Sequence, residues 1–397
     1  MNEWIKEVQN RIKRIPISSG RSNKLGKISF DDLVFVPAQL NKRPVDYFRE
    51  KIDSTTIIGQ NSQKPIKLET PILIGAMSFG ALSKEAKIAL AKASTIAGTI
   101  ENTGEGGMLA QEREFSKYLI VQYSTARFGI TEDVLGKADA VEIKIGQGAK
   151  PGQGGLLPKE KVTAEIAEIR KINKNQDVHS PPYHPDIKNT EDLKEKVKWL
   201  RELTGGKPII IKMGAGDIEN DIKLAVKANP DVIALDGLEG GTGAAPEIML
   251  DEVGIPVLAA LARARKILDK LKAPQELWIG GGLNKGGEFA KALALGADAV
   301  FVSFAMMVAM GCTYCRLCHL GKCPKGITTQ DPELIKKLDT QTAPQNIANY
   351  IKNCTEEIKM VAGAVGKNNI HHLNKEDLRA LNKEIAELTG VKFIGQE

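Results

Sequence analysis

Short apolar runs alternate with helical patterns along the middle of the sequence, and this alternation constrains the fold more than any other feature. Segments such as EDLKEKVKWLREL and IENDIKLAVKA place apolar residues at helical spacing between the runs. Eight runs have the length of buried strands, at residues 72–77, 99–103, 119–123, 141–145, 209–213, 232–236, 277–281 and 300–304. Eight parallel strands joined by helical crossovers close a (β/α)8 barrel. The sequence therefore predicts an α/β TIM barrel, with a doubly wound open sheet as the competing architecture.

The barrel is predicted to occupy residues 71–310. An N-terminal extension is expected over residues 1–70, and a C-terminal segment over residues 311–397 carries cysteines and then helical patterns. The 55 basic and 49 acidic residues form no charged tail, and aromatic residues are only 5% of the chain, so nucleic-acid binding is not indicated. No apolar run has the length of a signal peptide or a membrane span, so we expect a soluble, cytoplasmic protein.

The ends of the predicted strands carry polar residues and glycines. In a (β/α)8 barrel the C-terminal strand ends form the active face. The residues at these positions are Met77 and Ser78, Asn102 to Gly107, Gln122, Lys144, Lys212, Asp236 to Gly243, Gly280 to Gly282, and Ser303. The sequence therefore predicts a cofactor and substrate site at this end of the barrel.

Glycine-rich turns follow the seventh and eighth strands, where barrels of this kind hold a phosphate. Gly281, Gly282 and the backbone around Ser303 and Phe304 are the phosphate candidates; turns that serve only to close the barrel are the alternative. A phosphate there, with Lys212 opposite on the fifth strand, suits flavin mononucleotide (FMN), because a cation near the flavin ring favours its reduced, anionic state. A lysine that extends out of the strand to solvent is the competing interpretation.

Four cysteines lie within a dozen residues, in the pattern C-x2-C-x2-C-x4-C-P. Disulfides belong to oxidising compartments and small secreted scaffolds, so Cys312, Cys315, Cys318 and Cys323 are candidate ligands of an iron–sulfur cluster. Four ligands from one segment favour [4Fe–4S], and three ligands, if Cys315 points away, give [3Fe–4S]. A structural zinc site is the rival, although the spacing lacks two separated ligand pairs. Cys354 lies in a helical pattern and is expected to be buried.

Several long motifs resemble the FMN-binding, iron–sulfur synthase domain of glutamate synthase. The resemblance runs from about residue 29 to beyond residue 370. It is carried by SFDDLVFVPAQL, ILIGAMSFGALSKEA, NTGEGG, ARFGITEDVL, ADAVEIKIGQGAKPGQGG, SPPYHPDI, LDGLEGGTGAAP, GGLNKGGEFAKALALGADAV and GC-x5-CHLGKCPKGITTQ. The resemblance implies an enzyme in which 2-oxoglutarate and ammonia form 2-iminoglutarate, which takes a hydride from reduced FMN to give glutamate.

The resemblance also implies roles for individual residues. Lys150 and Arg170 would bind the carboxylates of 2-oxoglutarate, Lys144 and Lys150 are the candidate catalytic residues, and the expected cluster of the family is [3Fe–4S], on Cys312, Cys318 and Cys323. The flavin would contact Ala76, Met77, Ser78, Gln122, Lys212, Gly281 and Gly282, and the predicted cofactor site also includes Asn102, Asp236, Gly241, Ser303 and Phe304. His179 and His184 are either proton donors or loop histidines bonded to backbone.

Three departures from the family pattern bear on the activity. Leu156 stands where a glutamine contacts the keto acid, and Ile172 stands where a serine is usual, so two substrate hydrogen bonds are missing. Cys315 is usually not cysteine, which supports the four-iron cluster. The catalytic subunit of N-methylglutamate synthase is a related branch with an apolar residue near Leu156, and it implies methylamine in place of ammonia. An FMN-dependent oxidoreductase acting on another 2-oxo or hydroxy acid is the wider form of this alternative.

The expected partners follow from the same resemblance. The glutaminase and β-helix domains of full-length members do not occur in this sequence, so ammonia is expected to arrive free or from a separate glutaminase subunit. Ferredoxin or a flavoprotein subunit would supply electrons through the cluster, and a homo- or hetero-oligomer is expected. A non-catalytic electron-transfer subunit remains the alternative from a different functional class.

Overall fold

Eight parallel strands form one sheet in the computed structural model, which describes residues 17–20 and 28–396. The strands are β1 (Ile72–Ile74), β2 (Glu101–Asn102), β3 (Leu119–Tyr123), β4 (Ala140–Lys144), β5 (Ile209–Gly214), β6 (Val232–Asp236), β7 (Glu276–Gly280) and β8 (Ala299–Val302). Their order in the sheet is β1-β8-β7-β6-β5-β4-β3-β2. All eight strands that the sequence predicted are present, with bounds shifted by up to three residues.

The two ends of this sheet meet and close it into a cylinder. The backbone N–H of Ile74 on β1 donates to the carbonyl of Ile100, which directly precedes β2, at 3.0 Å. The Thr99 hydroxyl donates to the carbonyl of Ile72 at 2.7 Å across the same seam. The predicted (β/α)8 barrel is confirmed, and the doubly wound open sheet is excluded because that arrangement leaves two free edges.

Helices cover the outside of the cylinder. They are α1 (Lys84–Ala97), α2 (Ala110–Phe115), α3 (Glu132–Lys137), α4 (Ala164–Arg170), α5 (Thr190–Leu203), α6 (Ile218–Ala228), α7 (Glu247–Glu252), α8 (Val257–Leu271), α9 (Gly286–Ala294), α10 (Phe304–Ala309), α11 (Pro332–Ile335), α12 (Ala343–Ala364) and α13 (Lys383–Thr389). Several begin at a side chain that accepts a backbone N–H of the first turn, including Ser83 before α1 and Asn189 before α5. No helix of the described residues is both long and apolar enough to cross a membrane.

The N-terminal end of the barrel is closed by a hairpin of strands Thr56–Ile58 and Ile66–Leu68. Its residues Ile58 and Ile66 pack with Trp278 and other side chains that fill the barrel interior. Because this end is plugged by apolar residues, the C-terminal mouth is the end left to bind a ligand.

The C-terminal segment packs on the barrel. Helix α12 contacts α1 and α9, and it contains the buried Cys354. Strand Leu378–Ala380 pairs antiparallel with Leu33–Phe35, so the two terminal regions of the described chain lie together. The predicted N-terminal extension lies partly outside the described residues, and the division into three regions stays a prediction.

Candidate active site

A cavity of about 240 Å³ lies in the C-terminal mouth of the barrel. Each of the eight strands contributes a lining residue at or just after its C-terminal end, and the loop after β4 and the cysteine segment complete the wall. The predicted site residues that line it are Ala76, Met77, Ser78, Gln122, Lys144, Lys150, Arg170, Lys212, Asp236, Gly241, Gly281, Gly282, Ser303, Phe304 and Cys318. The fold thus brings together side chains that are up to about 240 residues apart in the sequence.

A carboxylate within the predicted strand-end segment Asn102 to Gly107, for which no individual role was predicted, lines this cavity. Glu105, in the turn after β2, accepts a hydrogen bond from Lys144 Nζ through its Oε2 atom at 2.9 Å. Burial by itself would raise the pKa of Glu105, but the charges of Lys144, Lys150 and Arg170 outweigh it and lower that pKa to about 2. Glu105 is therefore anionic at any working pH; it forms an ion pair with Lys144 and interacts electrostatically with Lys150 and Arg170.

Lys150 and Arg170 are the two predicted substrate-binding cations, and each is only 3% exposed. Burial lowers the pKa of Lys150 to about 8, although the nearby charge of Glu105 opposes the change. Arg170 donates from Nη2 to the carbonyl of Phe79 at 2.5 Å, and its Nε is buried without a hydrogen-bond partner among the described residues. A buried guanidinium with an unused N–H donor can bind an anionic ligand.

Gly155, in the loop after β4, and Ser180 also hold Glu105 in place. The backbone N–H of Gly155 donates to the Ser180 hydroxyl at 2.6 Å, and that hydroxyl lies 3.4 Å from Glu105 Oε2. A Cβ atom on Gly155 would lie 2.2 Å from Glu105 Oε1, closer than any real contact. Only glycine at position 155 lets the loop and the carboxylate occupy these places together.

Asn102 does not line the cavity, unlike the other predicted cofactor residues. Its side-chain oxygen accepts the backbone N–H of Gly104 at 2.9 Å, and its carbonyl accepts from Lys87 Nζ at 3.3 Å. Lys87 also forms an ion pair with Glu112 at 2.6 Å, and both side chains are fully buried. Asn102 thus ends β2 and its side chain bonds to the turn that presents Glu105, and a cofactor contact for it stays a prediction.

Lys212 on β5 points into the cavity. Its Nζ lies 3.7 Å from Asp236 Oδ2 and 4.8 Å from the centre of the Phe301 ring. Beside it, Gln122 donates from Nε2 to Glu142 Oε1 at 2.7 Å, and this pair is buried. Lys212 is 6% exposed, so it does not extend to solvent as the competing interpretation required.

The turns after β7 and β8 suit a phosphate. Gly281 has a φ of 119°, and a Cβ atom there would lie 2.9 Å from the backbone nitrogen of Gly237. Ser303 precedes α10 without capping it through its side chain. The backbone in these two turns therefore approaches the cavity without side-chain hindrance, and the chemistry of the site fits the phosphate of a nucleotide cofactor.

The cysteine segment folds back beside the cavity, and Cys318 lines it. Tyr314 and Arg316, which alternate with the cysteines, have φ values of 57° and 56°. Left-handed residues within an irregular loop turn successive N–H groups to one side, as in many anion and iron–sulfur sites. The backbone N–H of Tyr314 lies 3.4 Å from Cys312 Sγ, in line with that arrangement.

Cys323 lies in the most donor-rich surroundings of the four. Burial would raise the pKa of its thiol, but hydrogen bonds from the backbone N–H groups of Thr328, Lys325 and Ile327 lower it. Among the described residues no three cysteine, histidine or carboxylate side chains are already grouped around a metal position. The donor chemistry nevertheless fits a cluster, because thiolate ligands are stabilised by N–H donors of this kind.

The comparisons with known proteins decide the family. The family model described as the conserved region in glutamate synthase matches residues 4–368. The chain belongs to the glutamate synthase family. A glutamate synthase large subunit-like protein of Rhizobium meliloti (strain 1021) is 43% identical over 386 residues, covering 92% of this chain and 87% of that protein. An archaeal glutamate synthase (NADPH) of Methanocaldococcus jannaschii is 40% identical over 415 residues, covering 95% and 81%.

Among solved structures, a mandelate oxidase with a monooxide FMN adduct has a TM-score of 0.56 to this chain. It is 16% identical, and the match covers 86% of each chain, so the likeness concerns the fold. Membership in the glutamate synthase family confirms the predicted resemblance and makes the chain an oxidoreductase enzyme.

Of the two substituted positions in this member of the glutamate synthase family, one faces the cavity. Leu156 lines the wall, close in sequence to Gly155. Ile172 packs instead with Phe79 and Leu157 in a small apolar cluster. The substitution at Leu156 therefore bears on ligand choice, and the one at Ile172 has no direct contact with the cavity.

His184 holds the end of β4 in place. Arg127 donates to its Nδ1 at 2.6 Å, which leaves Nε2 to donate to the carbonyl of Lys144 at 2.8 Å. Burial first, and then the charge of Arg127, lower the pKa of His184 to about 4, so the ring is neutral. The interpretation of His184 as a histidine bonded to backbone matches this geometry, and the bond steadies the end of β4. His179 is exposed.

Proposed function

We propose that this chain is an FMN- and iron–sulfur-dependent oxidoreductase of the glutamate synthase type that converts 2-oxoglutarate and ammonia to glutamate. The buried cations Lys150 and Arg170, which line the same cavity as Glu105, are the observation that carries the proposal. A dicarboxylate needs such partners, because arginine offers a bidentate fork and lysine a compact charge. A non-catalytic electron-transfer subunit, the alternative, would bind no dicarboxylate and would not need these two cations.

The flavin would be held by residues from every side of the mouth. Lys212 would face the flavin, and the turns at Gly281, Gly282, Ser303 and Phe304 would receive its phosphate. Ala76, Met77, Ser78, Gln122, Asp236 and Gly241 would supply further contacts. When bound, the flavin supplies the hydride that reduces the imine carbon. The mandelate oxidase that carries an FMN adduct shares the barrel fold, which supports this choice of cofactor.

Lys144 would supply the protons of the reaction, with Glu105 as its counter-ion. Condensation of the keto acid with ammonia releases water, so the departing oxygen must receive a proton. Lys144 Nζ lies 2.9 Å from Glu105 Oε2 and would donate the proton. The anionic Glu105 would hold the side-chain ammonium group of Lys144 in place between proton transfers. Lys150 and Arg170 would meanwhile hold the carboxylates and orient the keto carbon.

The cysteine segment would hold the iron–sulfur cluster. With Cys312, Cys315, Cys318 and Cys323 as ligands the cluster is [4Fe–4S], and with Cys315 outside the ligand set it is [3Fe–4S]. Single electrons would reach the site from ferredoxin or a flavoprotein subunit. Ammonia would arrive free or from a separate glutaminase subunit.

A second candidate function follows from Leu156. The side chain lines the cavity near Gly155 and replaces an amide that would bond the keto acid. An apolar wall accommodates a methyl group better than an amide does. Methylamine in place of ammonia, as in the N-methylglutamate synthase branch, is therefore the competing reaction.

Anaerobic purification followed by visible and EPR spectroscopy tests the cofactors. The reduced protein is then mixed with 2-oxoglutarate and either ammonia or methylamine, and reoxidation of the flavin is recorded. We expect flavin and iron in each chain and faster reoxidation with ammonia. Faster reoxidation with methylamine would select the second function, and reoxidation with neither amine would remove both.

The pH dependence of kcat/KM for 2-oxoglutarate tests the charge of Lys150. Burial lowers the pKa of Lys150 to about 8, and the cation must be protonated to hold a carboxylate. We therefore expect kcat/KM to fall as the pH rises above about 8, by up to about tenfold per pH unit, because this ratio reports the free enzyme. Lys150→Arg should move the fall to higher pH, since arginine keeps its charge. An unchanged profile in this variant would assign the fall to another group.

A further inference from the structure

Lys161 lies between the cavity and the cysteine segment, and neither the substrate nor the flavin role uses it. It ends the short helical turn Lys159–Lys161 in the loop after β4, and its side chain is 7% exposed. The ammonium donates to the carbonyl of Ala81 at 3.3 Å and to the carbonyl of Cys318 at 3.4 Å. One buried cation thus bonds to both the loop after β1 and the cysteine segment.

The charge of Lys161 also acts on the cysteines. It lies within electrostatic range of the sulfurs of Cys318 and Cys323, and Cys323 is 3% exposed. Arg170 is the other charged group that acts on Lys161. In surroundings this dry a unit charge is screened far less than at the surface.

The loop after β1 is held firmly enough to fix the ammonium in place. Gln330, downstream of the cysteines, donates to the carbonyl of Leu82 at 2.8 Å, and the Ser83 hydroxyl donates to the carbonyl of Gly326 at 2.7 Å. Arg170 bonds the carbonyl of Phe79 in the same loop. Lys161 therefore bonds to two segments that are themselves bonded to each other.

We propose that Lys161 is a positioning residue for the iron–sulfur cluster: it raises the reduction potential of the cluster and anchors Cys318 beside the cavity. The inference rests on the proposed function only in that the cysteines hold a cluster. A reduced cluster carries one more negative charge than an oxidised one, so a fixed cation nearby stabilises the reduced form. A hydrogen-bonded ammonium on the carbonyl of a ligand cysteine supplies that cation.

A potentiometric titration of the purified holoprotein, followed by EPR, tests this role. At a fixed potential we expect Lys161→Met to lower the ratio of reduced to oxidised cluster about tenfold, which for a one-electron couple equals about 59 mV. Lys161→Arg keeps the charge and should restore the ratio to within about twofold of the wild-type value. Lys159→Met removes an exposed lysine from the same turn and should leave the ratio unchanged.

Iron and flavin contents are measured for each variant to separate loss of the cluster from a change in its potential. If Lys161→Met binds less iron, Lys161→Gln carries the same test, because glutamine keeps a donor for the carbonyls but has no charge. An unchanged ratio in a neutral variant with full iron would overturn this inference and leave the proposed function standing. A wild-type chain without iron would overturn both the inference and the cluster in the proposed function.

Discussion

Lys150→Ala is expected to lower kcat/KM for 2-oxoglutarate about 100-fold at neutral pH, with most of the change in KM. Lys150 is buried at the cavity wall, and its charge interacts with that of Glu105, which lines the same cavity. Alanine removes the cation that would pair with a substrate carboxylate, and the charge-assisted bond is worth about 3 kcal/mol. Steady-state kinetics with varied 2-oxoglutarate measures the effect.

The flavin content of Lys150→Ala should match that of the wild type, because the predicted flavin residues lie on other strand ends. Lys174→Ala, at an exposed position, is the control and should leave both quantities unchanged. Wild-type kinetics in Lys150→Ala would remove Lys150 from the substrate site. Loss of flavin together with activity would instead place Lys150 at the cofactor.

Gly155→Ala is expected to lower kcat/KM about 100-fold without unfolding the chain. The new Cβ atom would overlap Glu105 Oε1 at 2.2 Å and the Ser180 hydroxyl at 2.6 Å. Both are ends of side chains that can rotate away, so the fold survives while Glu105 loses its place beside Lys144. A carboxylate displaced by about 1 Å weakens its ion pair with Lys144, and small misplacements of this kind are costly for catalysis.

Gly136→Ala is the matched control, because nothing lies within 4 Å of a Cβ atom at that helical position. Both variants are compared by thermal unfolding and by kinetics. Gly155→Ala with a wild-type melting temperature and reduced activity supports the role of Glu105. Full activity in Gly155→Ala would show that the exact place of this carboxylate does not matter.

The barrel was predictable because its signals are local. Each strand is a short apolar run and each helix has apolar residues at helical spacing, so the hydrophobic pattern within about ten residues identifies them. Alternation of the two then limits the topology to very few choices. The polar strand ends followed from the same pattern, since the fold places its active face there. The cysteine spacing added the cluster ligands, and the family motifs added Lys150 and Arg170 as candidates.

The arrangement of charges in the cavity was not predictable from these patterns. Glu105 lies in the glycine-rich motif NTGEGG, and its ion-pair partner Lys144 is 39 residues away in the sequence. The side chain of Asn102 at the end of β2 bonds to the following turn, while the nearby Glu105 lines the cavity. A turn residue can point inward or outward, and the hydrogen bonds of distant segments decide which.

By itself the sequence determined the eight alternating units, the family and the set of chemical groups available, because these depend on residue type and spacing along one segment. Only the tertiary structure decided that Glu105 pairs with Lys144, that a side chain at position 155 would overlap Glu105, and that Lys161 bonds to Cys318. These facts depend on distances across the barrel mouth. Such distances are set by how separate loops pack together, and no local sequence pattern encodes that packing.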